Sequence, residues 1–279
     1  LSALGLGLIA ALCWGLHDFS VRYLKDSVPL MGSLMVVLAV GTVFQLAGIS
    51  LSGAELALPS QALGYAIAAG GSFLIADLAL YAAFRRGPVA LVAPLVASYP
   101  VLSVGFAIWR GVEVSSWQWL AVVVIVLGVG AAAGRPQETG VTGAWKATVA
   151  LSLLGAAGFA STFALGQYAA EFGAPQANLA TRITALIGLL CLMALTRNLV
   201  WPGWRALPLL VTMGVLDGMA LQNVLKAGGM PHAEYAAVSS SVFGMLTVVL
   251  AWMILRERMT ALQWLGCMLA FGGIGALAL

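Results

Sequence analysis

The chain has 279 residues, 62% of them hydrophobic and 8% charged, against roughly 45–50% and about 25% in ordinary soluble domains, which excludes a soluble fold. A membrane helix takes about 20 apolar residues, so ten would fill roughly 200 and leave about eight for each of nine loops, too few for a sizeable extramembrane domain. The net charge of +3 comes from 13 Lys and Arg spread thinly along the chain, which make no patch for nucleic acid, and the apolar runs are too long and continuous for an outer-membrane barrel.

Apolar runs between polar or Gly/Pro breaks predict ten membrane helices, near 2–24, 30–50, 62–84, 89–109, 116–134, 145–170, 176–197, 206–227, 234–255 and 260–278. The first carries Trp14, His17, Asp18 and Val21 at i, i+3, i+4 and i+7, one helical face with an aromatic and two polar groups. Trp14 is either a cavity wall on which a flat ligand stacks or a packing residue. His17 is either a hydrogen-bonded partner of Asp18 or a proton-exchanging group. The third helix holds Asp77, with Tyr81 one turn on.

In the fourth, Pro94 and Pro100 flank Ser98 and Tyr99. Interior prolines remove backbone donors and free carbonyls, which lipid tolerates only where protein or water satisfies them. The ninth has Ser239, Ser240 and Ser241 at the matching place. Both stretches read either as cavity lining or as kinks with hydroxyls bonded to their own helix. The fifth and tenth carry no charge and are rich in glycine: Gly128, Gly130 and Gly134 in one, Gly266, Gly272, Gly273 and Gly275 in the other. Such small residues permit close backbone approach, between the halves of the chain or between subunits of a homodimer. The seventh and eighth add Arg182 and Asp217. Cys13, Cys191 and Cys267 lie far apart in apolar runs and read as packing residues. The sequence opens on Leu1, as a trimmed end would, so no targeting segment is read from it.

The longest polar stretch, Arg135 to Gly140, lies near the midpoint and predicts a linker, 135–144, between halves 1–134 and 145–279. An internal repeat supports the division. Arg86-Gly87-Pro88-Val89-Ala90 opens the fourth helix and Gly229-Met230-Pro231-His232-Ala233 the ninth. After Glu113 come Gln118-Trp119-Leu120 and Gly128-Val129-Gly130, and after Glu257 come Gln263-Trp264-Leu265 and Gly273-Ile274-Gly275. Five crossings per half is odd, so the second half enters from the opposite side. Inverted repeats of this kind expose a midplane site to each side in turn. Lys and Arg gather in the loops after the odd-numbered helices, which predicts those loops cytoplasmic and both ends outside.

Charges inside spans are expensive and face protein or water. Under the repeat offset Asp217 maps to Leu74, one turn from Asp77, so both halves place an acid at similar depth. Either these are cavity acids that bind an ammonium or carry a proton, or each pairs with a polar neighbour such as Arg182 and fixes packing. Asp18, Arg182 and Asp217 stand as coupling or structural charges. The chain has no GxxxxGK[ST], HExxH or GxSxG motif, so it reads as neither an ATP-driven pump nor an enzyme and calls for no cofactor or metal. A secondary transporter, a facilitator or a membrane scaffold remains.

Cys13-Trp14-Gly15, Glu257 with Gln263-Trp264-Leu265-Gly266, Glu113 with Gln118-Trp119, and the stretch from Pro175 to Arg182 together resemble the EamA family of the drug/metabolite transporter superfamily, over the full ten-helix chain. Ala82 to Ala90, Ala-Ala-Phe-Arg-Arg-Gly-Pro-Val-Ala, looks most like the YddG-type aromatic amino acid exporters of the bacterial inner membrane. The resemblance implies a basket of helices 1, 3, 4, 6, 8 and 9 around a central cavity, with 2, 5, 7 and 10 outside. It makes Trp14, His17, Asp77, Tyr81, Ser98, Tyr99, Phe159, Phe163 and Ser239 to Ser241 the cavity lining. An arginine that the family carries in helix 2 is absent here, while helix 7 keeps Arg182. The family implies both ends inside, opposite to the charge bias. The expected function is export of amino acids, aromatic or bulky apolar ones favoured, by alternating access across the lipid bilayer. Export of other amphipathic metabolites or drugs is the nearest alternative, and a non-transporting scaffold the next.

Overall fold

The computed structural model describes residues 2–102, 105, 115–133, 142–230 and 234–277. Most of the expected linker, Glu113, Gly134 and Pro231-His232-Ala233 lie outside the described residues. The helices are α1 (Ala3–Leu24), α2 (Leu30–Ser52), α3 (Ser60–Arg86), α4 (Val89–Ala97), α5 (Ser116–Ala133), α6 (Thr142–Ala170), α7 (Ala174–Leu195), α8 (Leu207–Lys226), α9 (Glu234–Ser240), α10 (Phe243–Ile254) and α11 (Ala261–Leu277). Their ends follow local rules. Ser2 caps α1 by accepting from the Gly5 N–H. Gly53 ends α2 at φ 68°, a left-handed position that favours glycine. Pro175 and Pro208 sit in the first turns of α7 and α8, where a missing N–H is harmless.

Among the described residues, seven helices are long and apolar enough to cross a membrane: α1, α2, α3, α7, and the stretches Trp145–Ala170, Trp204–Gly229 and Ala236–Ile254. Three more, Val89–Leu102, Ser116–Ala132 and Ala261–Ala276, are apolar but shorter. At 1.5 Å per residue a 17-residue helix spans only about 26 Å, under the roughly 30 Å of a hydrocarbon core. The described residues thus give seven helices of spanning length and three shorter apolar ones where the sequence predicts ten membrane helices.

Helical packing repeats across the two halves. α3 packs on α6 as α8 packs on α1; α3 packs on α7 as α8 packs on α2; α4 packs on α6 as α9 and α10 pack on α1. The pairs α2 with α7, α4 with α10, and α5 with α11 map onto themselves under the same exchange. The α5–α11 crossing is glycine-mediated. A Cβ on Gly128 would strike the Ala270 backbone, one on Gly266 the Ala132 backbone, and one on Gly273 the Ile125 side chain. Gly130, Gly272 and Gly275 face open space instead.

The two interrupted helices face each other. A turn at Ser98 breaks the helix after α4, one turn beyond Pro94, and a turn at Ser241 and Val242 separates α9 from α10. The Tyr99 hydroxyl bridges the breaks, donating to the Ala237 carbonyl at 2.7 Å and lying 2.6 Å from Ser240 Oγ. Polar groups at the two breaks are thus satisfied by one another inside the bundle, as a lipid environment demands.

Candidate functional site

One stripe of α1 starts the site. Trp14, His17 and Asp18 point inward together and meet Asp77 and Leu80 of α3, Tyr99, Phe159 and Phe163 of α6, and Phe243 at the start of α10 around a central cavity. Its apolar wall is a linked set of rings. The Trp14 and Phe163 centroids lie 5.5 Å apart, Phe243 stands edge-on to Trp14 at 6.3 Å, and Tyr99 stands edge-on to Phe163 at 5.1 Å. Phe159 stacks on Phe163 at 6.1 Å. The free space is about 10 Å³, enough for roughly one water molecule. The chamber is closed in this conformation.

The polar wall divides into three arrangements. Trp14 Nε1 donates to Asp217 Oδ1 at 2.9 Å, and Arg182 Nη1 donates to Asp217 Oδ2 at 2.9 Å. Arg182 is fully buried, its guanidinium 5.6 Å from the centre of the Phe73 ring. Its Nε donates to Asn178 Oδ1, and Asn178 Nδ2 reaches Gln45 and Gln222 at 3.1 and 3.2 Å. The guanidinium passes α2 only because residue 41 is glycine; a Cβ there would overlap Arg182 Nη1. This buried chain runs from the cavity wall at Trp14 out to α2, α7 and α8. Arg182 pairs with Asp217 and not with Asp77.

The second arrangement is His17 Nδ1 against Asp18 Oδ1 at 2.9 Å, with His17 Nε2 3.1 Å from the Tyr81 hydroxyl. With Asp18 ionised, Nδ1–H donates to the carboxylate and Nε2 accepts from Tyr81. Tyr81 lines a second, neighbouring cavity and not the central one. The third is Asp77, buried at 4% exposure on the cavity wall. It makes no hydrogen bond or ion pair among the described residues; Asp217, Arg182 and Asp18 are the charges whose fields reach it. Buried polar groups nearly always have a partner. The Asp77 carboxyl is an exception, as are Trp145 Nε1, Gln176 Oε1 and Arg182 Nη2, but it is the one that faces the aromatic chamber.

The serines sit elsewhere. Ser98 Oγ donates to the Leu95 carbonyl, Ser239 to the Leu4 carbonyl, Ser240 to Ala237 and Ser241 to Val238, and none is among the side chains around the cavity. Conversely, Leu80 and Phe243 line it without having stood out in the sequence, since each is one apolar residue in an apolar run. Gln45, Asn178 and Gln222 were also missed; their signal is an uncharged amide inside a span. Among the described residues no three His, Cys, Asp or Glu side chains converge as a metal site would.

At the helix ends on one face, Arg22 Nε pairs with Glu257 Oε1 at 2.7 Å and Arg22 Nη1 donates to the Phe84 carbonyl. Glu257 Oε2 accepts from the Val89 N–H at 2.9 Å, filling the open N-terminus of α4 from the other half of the chain.

A crystal structure described only as that of a protein superposes with a TM-score of 0.74 over 98% of this chain and 95% of that one, at 16% sequence identity; at that identity the likeness is one of fold. No curated protein matches. Residues 1–133 and 146–279 each match the EamA-like transporter family. With two matching repeats covering nearly the whole chain and an apolar helical bundle enclosing a cavity, the protein is a multi-pass membrane protein that belongs to the EamA-like transporter family.

Proposed function

We propose that this protein is a secondary exporter of amino acids, aromatic or bulky apolar ones favoured, working by alternating access between inverted five-helix halves in a bacterial inner membrane. The observation that carries the reading is the uncommitted Asp77 carboxyl on the wall of an aromatic chamber. A substrate ammonium would sit on Asp77 in a charge-assisted bond, with its side chain against Trp14, Phe159 and Phe163. The rings add cation–π attraction for the same ammonium. A void the size of one water fits an occluded state, and the exchanged packing of the two halves supplies the means to open either side. Purified protein in liposomes loaded with labelled phenylalanine tests the reading. Protein-dependent efflux is expected; absence of flux for every amino acid tried would leave the scaffold reading standing.

A second reading has its own support. Asp18 and Asp77 line the central cavity while no Lys or Arg among the described residues does, which favours amphipathic cations over zwitterions. Competition separates the two: inhibition of phenylalanine efflux by 2-phenylethylamine far more than by other aromatic amino acids selects the cation exporter.

A further inference from the structure

The second cavity differs from the first in charge. It is bounded by Val21, Leu24 and Val28 on one side, by Ser33 and Met213 on another, and by Tyr81, Lys25 and Arg85. It too holds about 10 Å³ of free space. The face of α1 that turns Trp14, His17 and Asp18 to the central chamber continues through Val21 and Leu24 to Lys25, so the two cavities follow one another along a single helix. From residue 14 to residue 21 the rise is about 10 Å. Between them stands one hydrogen-bonded pair: His17 faces the central cavity, Tyr81 faces the second, and they meet at 3.1 Å.

The charges alternate along this line. Acids face the central chamber, and among the described residues the second cavity has two cations and no carboxylate on its wall, Asp26 being the acid whose field reaches Arg85 from outside it. Lys25 Nζ is 3.4 Å from Asp26 Oδ2, but the Asp26 side chain is 83% exposed and so is screened by water. Arg85 donates to the Val28 carbonyl, which holds its guanidinium at the wall without neutralising it. Glu257, another acid on this face, is committed to Arg22 and the Val89 N–H. Positive potential therefore persists inside the pocket, where low-dielectric walls concentrate it.

We propose that this pocket is a second binding compartment on the same path, selective for the carboxylate end of a substrate or a comparable organic anion, and that the Tyr81–His17 hydrogen bond is the partition between the two. Its place on a transport path rests on the exporter reading; its anion preference rests on Lys25 and Arg85 alone. The ammonium and carboxylate of an α-amino acid hang on one carbon, so a molecule cannot bridge compartments about 10 Å apart. It is handed from one to the other, carboxylate held in the basic pocket and ammonium in the acidic chamber.

The test reads local charge without any transport. In the full chain with Cys13, Cys191 and Cys267 replaced by alanine, Ser33→Cys places a thiol in the pocket. The anionic sulfonatoethyl and cationic trimethylammonioethyl methanethiosulfonates are compared in detergent, each rate divided by its rate with glutathione. The anionic reagent is expected to win by about fivefold or more, and Lys25→Gln, which removes no bond to the helical backbone, to bring the ratio toward one. A ratio of one or below in the parent, a ratio indifferent to Lys25→Gln, or no reaction with either reagent overturns the site. For the partition, Tyr81→Phe is expected to speed labelling of Leu80→Cys in the central cavity about tenfold, and an unchanged rate overturns it. Selective labelling with no liposome flux would retire the exporter reading and leave the anion site in place.

Discussion

Asp77 and Asp217 sit at similar depth in the two halves of the chain and do opposite things. Asp217 is saturated: one oxygen takes the Trp14 indole N–H, the other the Arg182 guanidinium. Asp77, on the wall of the same chamber, has no partner among the described residues. The two acids stand one helical turn apart under the repeat offset, and their surroundings divide the labour. A buried ion pair held by further hydrogen bonds from Trp14 and Asn178 is a fixed part of the frame, although Arg182 Nη2 has no partner among the described residues. An acid with lone pairs left over is available to a ligand. Under the proposed export function, Asp217 acts through Trp14, to which it is hydrogen-bonded, as a positioning residue, and Asp77 is the group offered to substrate.

The largest way to break this contrast is Asp217→Asn, which strands the Arg182 charge in the bundle at a cost of about 3–5 kcal/mol. Thermal unfolding in detergent should show the steepest loss of the set, and adding Arg182→Met should recover part of it. Asp77→Asn should leave the midpoint unchanged or raised, because no partner is lost, while amino acid efflux from liposomes falls about tenfold or more for want of an anion to hold the ammonium. Trp14→Phe removes one hydrogen bond worth about 1 kcal/mol. It should raise KM for aromatic substrates more than it lowers the maximal rate. Smallest is Glu257→Gln. The amide oxygen can still accept from Arg22 but the amide NH2 cannot accept from the Val89 N–H, so one bond is lost and the midpoint should shift by about 1 kcal/mol equivalent, with flux altered less than in the Asp77 variant. A Glu257 effect on flux equal to that of Asp77 would blur the contrast between frame and site.

Much of the site was legible because helical periodicity is arithmetic. Trp14, His17 and Asp18 fall on one face by spacing, and the structure turns that face to the cavity. Phe159 and Phe163, which the family resemblance implies as lining, do stack on the cavity wall. Partner choice was not legible. Nothing in the sequence decides whether Arg182 meets Asp77 or Asp217, since that depends on how α7 sits against α3 and α8. Nor does a run of three serines say which way its hydroxyls turn, because each can satisfy itself on a carbonyl three residues back. The amide cluster of Gln45, Asn178 and Gln222 escaped because uncharged amides draw less attention than acids, although in an apolar bundle they need partners as surely. The span count was clear where helices run unbroken and less so at Val89–Leu102, where Pro94 and the turn at Ser98 interrupt the run.

The central claim is that Asp77, and not its counterpart Asp217, receives the positive end of the substrate. Ligand-induced stabilisation tests it without relying on transport: the unfolding midpoint of purified parent and Asp77→Asn protein, with and without saturating phenylalanine or 2-phenylethylamine. The account predicts that at least one of these ligands raises the midpoint of the parent and leaves that of the Asp77→Asn variant where it was. Equal ligand-induced shifts in both proteins would contradict it.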